Sequence, residues 1–371
     1  MRNYLYFVIT RKVTGFVPTL LLALLTPLSY LYAATVTLRN WLYDFRLFKS
    51  KRLPCTVISV SNIASGGTGK TPAVIWIAKA LLDTDCRPAI LLRGYHREQK
   101  TSGGQVVSDG QEILASVEAS GDEAVMIARE LPSIPVLVGK DRYEAGCRAL
   151  GQLKCDVLIL DDGFQHRKLE RDLDIVTVDA AQPIGTGKLL PAGTLREPVS
   201  ALRRADMIML TRVDTAESVA EVRESITKLV GDKPIVESRH EPTRLYRLDG
   251  GEEVGFGVLK GENLLAVCGI GNPGAFAETL RRYEPQCIDL IPFPDHHHYS
   301  RVDFVRIQQE AQQAGTDYII TTGKDELKLA ALCADENEGG TAQDYPPILV
   351  LAIELSVTAG ECLLTRRLQE C

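Results

Sequence analysis

The chain lacks closely spaced cysteine pairs. Its nine cysteines are scattered from Cys55 to Cys371, their number is odd, and no C-x-x-C pair occurs. A disulfide framework or a structural zinc site would need closer spacing. The sequence therefore predicts reduced thiols in a cytosolic body.

An excess of positive charge is also missing. The 42 Lys and Arg residues face 48 Asp and Glu residues, which gives a net charge of −6. A nucleic-acid-binding protein normally carries a basic surface, so no nucleic-acid partner is predicted. The 371 residues are 45% hydrophobic and 24% charged. Such proportions are those of an ordinary globular protein and exclude wholesale disorder or a multi-span transporter.

The first 52 residues differ from the rest. They hold eight Lys and Arg residues against one acid, Asp44, and residues 13–38 carry no charge at all. About 20 apolar residues suffice to cross a bilayer. Pro18 and Pro27 interrupt the segment, however, and both of its flanks are basic. These features favour a helix that lies on an anionic membrane surface; a single span and a buried core helix are the alternatives.

After residue 53, short apolar runs alternate with helical patterns. Helices are predicted at Pro72–Leu82, Glu123–Leu131 and Arg142–Leu153. Strands are predicted at Thr56–Val60, Pro88–Leu92, Pro135–Gly139, Asp156–Leu160, Asp174–Val178 and Asp206–Leu210. Such alternation predicts parallel strands that are buried on both faces, and hence a layered α/β sheet.

A second series of strands is predicted later in the chain, at Leu264–Ile270, Ile288–Phe293, Tyr318–Thr322 and Ile348–Ile353. Between the two series, Asp249-Gly250 with alternating flanks predicts a hairpin. The fold class expected is α/β, with a smaller α/β domain after the first sheet; the glycine-rich segment Ser61–Pro72 between the first predicted strand and helix makes that first sheet phosphate-loop NTPase-like. The domain ranges are 1–52 (membrane-associating helix), 53–243 (phosphate-loop domain, predicted to bind ATP through that segment), 244–260 (hairpin linker) and 261–371 (C-terminal domain).

The segment from Ser61 to Pro72, SNIASGGTGKTP, follows a predicted strand and opens a predicted helix. Glycines let backbone N–H groups turn around phosphate oxygens, and the helix N-terminus adds partial positive charge. Lys70 would reach the β- and γ-phosphates, and Thr71 would offer its hydroxyl to Mg²⁺. The predicted nucleotide-binding residues of this loop are Ala64, Ser65, Gly66, Gly67, Thr68, Gly69, Lys70 and Thr71. A glycine-rich turn that only caps a helix is the alternative.

Two carboxylates follow another buried strand, in Asp156-Val-Leu-Ile-Leu-Asp-Asp-Gly163. Acids at the carboxyl end of a strand beside a phosphate-binding loop typically hold Mg²⁺. We therefore expect Asp161 or Asp162 to bind the metal together with Thr71. Taken alone, the same residues are also compatible with a simple turn.

Two further patterns permit more than one interpretation. The Gly269-x-Gly271-x-x-Gly274 spacing resembles a dinucleotide fingerprint, but a tight strand-to-helix turn explains it better. The run His296-His297-His298 is compatible with metal ligands, with an ordinary surface loop, or with a functional loop.

Taken together, several strings resemble one family, the bacterial lipid A 4′-kinases (tetraacyldisaccharide 4′-kinases). The similarity covers most of the chain, and its most specific part is the string Leu-Leu-Pro-Ala-Gly-Thr-Leu-Arg-Glu-Pro at 189–198. The other matching strings are SGGTGKTP at 65–72, RGY at 93–95, GDE at 121–123, GKDR at 139–142, DDGFQH at 161–166, DH at 295–296 and TTGKD at 321–325. His96 stands where the family more often has glycine.

The resemblance implies an enzyme that uses ATP and Mg²⁺ to phosphorylate the 4′-hydroxyl of a tetraacylated glucosamine disaccharide 1-phosphate, forming lipid IVA. Such an enzyme would work at the cytoplasmic face of the bacterial inner membrane, because its acylated substrate stays in the bilayer. The resemblance also implies that Asp122 is the general base and that His296 orients it; a helix N-cap is the alternative for Asp122.

Three further residues are candidates for the nucleotide site. Arg142 and Arg196 are expected to contact phosphate, and Glu197 to lie near Mg²⁺ or the nucleotide. Structural ion pairs are the alternative for all three. A membrane-attached metallochaperone NTPase and a nucleotide-binding scaffold without catalytic activity are the alternative classes of protein.

Overall fold

The computed structural model describes residues 2–94, 103–295, 297–338 and 345–370. Contacts divide the chain into two compact units. Met1–Arg239 and Leu355–Cys371 form the first unit, and His240–Glu354 form the second. His296, Tyr95 and His96 lie outside the described residues.

Helices in the first unit are α1 (Arg2–Ile9), α2 (Phe16–Asp44), α3 (Lys70–Leu82), α4 (Val117–Ser120), α5 (Asp122–Glu130), α6 (Arg142–Leu153), α7 (Val219–Val230) and, near the C-terminus, α11 (Glu361–Gln369). Its strands are β1 (Thr56–Ser61), β2 (Pro88–Leu92), β3 (Gln105–Ser108), β4 (Val136–Val138), β5 (Val157–Asp161), β6 (Leu173–Asp179), β7 (Met207–Thr211) and the start of β8 (Ile235–Arg247).

The sheet of the first unit has the order β8-β7-β6-β1-β5-β2-β4-β3. Its neighbouring strands are parallel except for β3, which runs antiparallel to β4 at the edge. The residues of β2, β5 and β7 are buried throughout, as expected for parallel strands covered by helices on both faces. Parallel pairing brings the carboxyl ends of β1, β5, β6 and β7 to one edge of the sheet. Phosphate-binding loops lie at such an edge.

The second unit contains β10 (Asn263–Cys268), α8 (Pro273–Arg281), β11 (Cys287–Pro292), α9 (Arg301–Gln313), β12 (Tyr318–Thr322), α10 (Glu326–Glu338) and most of β13 (Ile348–Ala359). Its parallel strands have the order β11-β10-β12-β13. The predicted hairpin is present, because β8 pairs antiparallel with β9 (Glu253–Val254) through Leu245 and Tyr246.

The main differences from the sequence-based expectation are β3 and most of β8, which were not predicted as strands, and the bounds of β13. β8 contains charged residues and Pro242, a composition that argues against a strand. β13 extends beyond Ile353 into the first unit, and residues 355–371 belong to that unit rather than to the C-terminal domain predicted for 261–371. The close approach of Gly360 to the Ile235 carbonyl and the burial of Leu364 and Leu368 account for this placement.

Helix α2 is attached to the rest of its unit along one side. Ser29, Val36 and Asn40 are buried, and the Ser29 hydroxyl donates to the Leu189 carbonyl at 2.7 Å. Many of its other side chains are apolar and exposed, as at Leu24 (64%). By length and composition, α2 is the one described helix that is able to cross a membrane, and only 11% of its most apolar window is buried.

Candidate active site

The phosphate-binding loop lies between β1 and α3. Gly69 adopts a left-handed conformation (φ 77°) immediately before the first residue of α3, Lys70. Inside the loop, the Asn62 amide donates to the Thr68 hydroxyl at 2.6 Å, and this hydroxyl lies 2.9 Å from that of Thr177 on β6. These side chains are buried, and their hydrogen bonds fix the conformation of the loop.

The end of β7 fixes the same loop from a second direction. The Thr211 hydroxyl donates to the Thr68 carbonyl at 3.0 Å, and the Arg212 guanidinium donates to the Gly67 carbonyl at 2.7 Å. Arg212 also forms an ion pair with Asp179, at the end of β6. Because the two carbonyls are turned outward to these partners, the loop conformation is set before any ligand binds.

A third contact comes from the segment that contains the string 189–198. Ser65 N–H donates to the Thr194 carbonyl at 2.7 Å, and Arg196 N–H donates to the Ile63 carbonyl at 2.7 Å. Gly193 is required in this segment, because a Cβ there would overlap the Lys188 carbonyl oxygen. The string that is most specific to the family thus runs beside the phosphate-binding loop.

Asp161 ends β5 next to the loop and is buried. Burial and the neighbouring Glu123 carboxylate raise the pKa of Asp161 well above its usual value, although Lys70 acts in the opposite direction. Its Oδ2 atom is buried and accepts no hydrogen bond from any residue that the structure describes. A buried carboxylate with a raised pKa has too little positive charge around it to balance its own charge, as expected where a cation binds.

Glu123 was not predicted as a site residue. The Thr71 hydroxyl donates to its Oε1 atom at 2.6 Å, and Glu123 is near enough to Asp161 to perturb its pKa. Glu123 belongs to the string GDE at 121–123, so the family resemblance contained a signal for it that the sequence analysis did not use. Thr71, Asp161 and Glu123 therefore form one oxygen-rich cluster at the start of α3.

Asp162 has a different partner from Asp161. Its carboxylate forms a two-pronged ion pair with Arg196, with both N–O distances 2.7 Å, and Arg196 also donates to Asn62. Burial alone would raise the pKa of Asp162, but the hydrogen bonds and charge of Arg196 outweigh it and lower the pKa to about 2. Asp162 is therefore ionised at neutral pH, and the alternative of an ion pair for Arg196 is observed.

The other predicted residues lie in distinct surroundings. Arg142 is buried at the start of α6 and donates to the Gly139 carbonyl at 3.0 Å, and its charge reaches both Asp161 and Asp162. Asp122 is the first residue of α5, and its Oδ1 atom accepts from Glu123 N–H at 3.0 Å.

Glu197 differs from the expectation. Its buried carboxylate binds Arg39 and Asn40 of α2, each at 2.6 Å, and lies 3.5 Å from Arg204. These contacts support a structural ion pair rather than a contact with the nucleotide, because the Glu197 side chain extends toward α2.

The histidine run is only partly described. His297 stacks on Phe293 with ring centroids 4.7 Å apart, and its Nε2 atom lies 3.2 Å from Asp303. Among the described residues, no three His, Cys, Asp or Glu side chains form a group that is able to hold a metal ion. The packing of His297 supports a structural role for that histidine.

The fold and the site together define a structural class of protein. A parallel sheet with a glycine-rich loop between β1 and α3, and with carboxylates at the end of β5, is that of a phosphate-loop NTPase-like α/β protein. A family model described as tetraacyldisaccharide-1-P 4′-kinase matches residues 21–369. The chain belongs to this family, which confirms the resemblance, the fold class and the kinase assignment.

Individual relatives agree with the family model. A tetraacyldisaccharide 4′-kinase from Syntrophus aciditrophicus is 45% identical over 83% of this chain and 84% of its own length. One from Geobacter metallireducens is 42% identical over 84% of this chain and 89% of its own length. A crystal structure of LpxK from Aquifex aeolicus in complex with ATP has a TM-score of 0.72 and 35% identity, covering 94% of this chain and 99% of that one.

Proposed function

We propose that this protein is an ATP-dependent kinase that phosphorylates the 4′-hydroxyl of a tetraacyldisaccharide 1-phosphate and so forms lipid IVA. Family membership and the preformed loop around Lys70 carry the proposal. The solved relative that was crystallised with ATP supports ATP as the phosphoryl donor.

Residues 64–71 would bind the triphosphate, with the Lys70 ammonium at the β- and γ-phosphates. The oxygen-rich cluster fits Mg²⁺, because Asp161 Oδ2 is buried without a hydrogen-bond donor among the described residues and oxygen ligands suit this ion. Thr71, Asp161 and Glu123 would hold the metal, and Asp162 would support them while paired with Arg196. When bound, Mg²⁺ supplies neutralisation of the phosphate charge.

Asp122 would accept the proton of the attacking 4′-hydroxyl. The loss of that proton makes the hydroxyl oxygen a better nucleophile toward the γ-phosphorus. Asp122 is only partly buried, and its Oδ1 atom accepts from Glu123 N–H at 3.0 Å at the start of α5. The family resemblance assigns His296 to orient Asp122, and this pairing stays a prediction.

Helix α2 would rest on the membrane that holds the acylated substrate. Its exposed apolar side chains include Phe16 (82%), Leu31 (66%) and Leu24 (64%), and Arg11, Lys12 and Arg46 are exposed near its two ends. This combination suits an anionic lipid surface. The site of action would then be the cytoplasmic face of the bacterial inner membrane.

The deciding experiment is incubation of the purified protein with ATP, Mg²⁺ and the tetraacylated disaccharide 1-phosphate. We expect mass analysis to find one added phosphoryl group on the lipid, without any transition metal. Nucleotide hydrolysis without lipid phosphorylation would point instead to a metallochaperone-like NTPase. Nucleotide binding without turnover would point to a scaffold.

The assignment of the base is tested with Asp122→Asn, His296→Ala and the double variant. We expect Asp122→Asn to lower kcat strongly with little change in KM for ATP, and His296→Ala to do the same more mildly. Residues that act as one unit give non-additive losses, so the double variant should resemble Asp122→Asn. His298→Ala is the control, since its side chain is exposed, whereas His297 stacks on Phe293. Multiplicative losses would show independent roles.

Membrane attachment is tested with Leu24→Glu, Leu28→Glu and Leu31→Glu together. All three side chains are exposed, so the fold should be retained while co-sedimentation with anionic vesicles is lost. Undiminished co-sedimentation would rule out this face as the membrane contact.

A further inference from the structure

Two adjacent residues, Arg196 and Glu197, connect the membrane-facing helix to the nucleotide site. Arg196 extends to Asp162 and Asn62 beside the phosphate-binding loop. Glu197 extends in the other direction, to Arg39 and Asn40 of α2. Every group in this chain of contacts belongs to the first compact unit.

The Glu197 carboxylate depends on α2 for its charge balance. It is fully buried, and two of its described partners, the Arg39 guanidinium and the Asn40 amide, are contributed by the helix at 2.6 Å. Removal of partners from a buried charge is costly because water does not replace them. Among the partners that the structure describes, displacement of α2 would leave only Arg204, at 3.5 Å, to compensate Glu197.

Helix α2 also holds the backbone of the same residue pair. The Tyr32 hydroxyl donates to the Arg196 carbonyl at 3.0 Å. Arg196 N–H is in turn bonded to the Ile63 carbonyl in the phosphate-binding loop. The position of Arg196 is thus fixed from both sides, by the helix and by the loop.

We propose that Asn40 and Glu197 are positioning residues that transmit the seating of α2 to the Arg196–Asp162 pair, and so tune the nucleotide and metal site. This inference rests on the proposed kinase function. As a consequence, α2 has a role besides bringing the enzyme to lipid. Its attachment to the rest of the first unit sets how well the site binds and uses Mg²⁺·ATP.

The test exchanges the amide and the carboxylate. Asn40→Asp places two carboxylates at hydrogen-bond distance, whereas Asn40→Asp combined with Glu197→Gln restores one amide and one carboxylate. Arg167 contacts the Asn40 carbonyl at 2.9 Å and Asp44 at 2.8 Å, so α2 keeps an independent attachment in all variants. Turnover of detergent-dispersed lipid substrate, Mg²⁺ dependence, affinity for a fluorescent ATP analogue with Mg²⁺, and vesicle co-sedimentation are measured together.

For Asn40→Asp we expect kcat to fall about tenfold and the Mg²⁺ requirement to rise several-fold, with co-sedimentation unchanged. The double variant should recover most of both losses. Tyr32→Phe should shift the same two quantities in the same direction by about twofold, and it tests the proposal if Asn40→Asp fails to fold. Tyr30→Phe, at an exposed position of the same helix, is the matched control.

Normal kcat and Mg²⁺ dependence in folded Asn40→Asp, or a loss that the double variant does not reverse, would overturn the proposal. A purely structural role would lower the folded fraction without moving the Mg²⁺ requirement of the folded enzyme. Failure of the wild type to phosphorylate the lipid would instead reject the proposed function, and the binding of the ATP analogue would still report on the coupling.

Discussion

The chain contains two glycine-rich turns that join a parallel strand to a helix, and they differ in what occupies them. Between β1 and α3, the loop carbonyls are bound from outside by Thr211 and Arg212, and Lys70 starts the helix. Between β10 and α8, the Asp325 carboxylate accepts from Gly269 N–H and from the Thr322 hydroxyl, each at 2.8 Å. A turn already occupied by a carboxylate repels phosphate. Glycine spacing therefore predicts a turn, and the neighbouring side chains decide whether it binds an anion.

Among the variants that test this difference between the two turns, Lys70→Ala should have the largest effect on activity. Removal of the ammonium should lower kcat by about 10²-fold or more, because electrostatic stabilisation is the main catalytic contribution. Turnover of the lipid substrate is the measurement. Lys260→Ala, at an exposed lysine of the second unit, serves as the control. Near-normal turnover of Lys70→Ala would remove the functional distinction between the two turns.

Asp325→Ala tests the second turn. It leaves the buried Gly269 N–H without its acceptor, so the free energy of unfolding should fall by about 2 kcal/mol. Urea denaturation of the folded protein measures this change. Asp325→Asn keeps one acceptor oxygen and should lose less. If Asp325→Ala is as stable as the wild type, the carboxylate does not hold the turn.

A smaller loss of stability is expected for Asn272→Ala. The Asn272 side chain caps α8 by accepting from Ala275 N–H at 3.2 Å, and loss of such a cap costs about 1 kcal/mol. The urea midpoint should fall, while KM for ATP should not change. A raised KM for ATP would show that the second turn takes part in nucleotide binding after all.

The smallest expected change in stability near neutral pH is that caused by His166, which follows the Asp161-Asp162 pair in the string DDGFQH. Burial and the nearby Arg142 lower the pKa of His166 to about 4. An unfolded histidine takes up its proton near pH 6.5, so acidification from 6.5 to 4 favours the unfolded state. Urea midpoints across this range should decline less steeply in His166→Asn than in the wild type. Parallel declines would show that His166 does not contribute.

The features that could be predicted from the sequence are those whose functional residues are adjacent in the chain. The phosphate-binding loop and Asp161-Asp162 each lie within one short string at a strand end, so local patterns were enough to find them. The contacts of Thr71 with Glu123 and of Glu197 with Asn40 join residues 52 and 157 positions apart. No local pattern encodes such pairings, and β8 was missed because its charges and Pro242 obscure the strand signal.

The one-sided attachment of α2 bears on how the helix tolerates amino-acid replacement over evolutionary time. Its contacting positions, Ser29, Tyr32, Val36 and Asn40, recur every three or four residues, which places them along one stripe of the helix. Replacements on this stripe disturb specific partners, whereas at the exposed positions the proposed contact with lipid requires only an apolar side chain. Substitution rates along α2 should therefore oscillate with the helical repeat, with slow change on the stripe and free exchange among Leu, Phe, Val and Ile elsewhere.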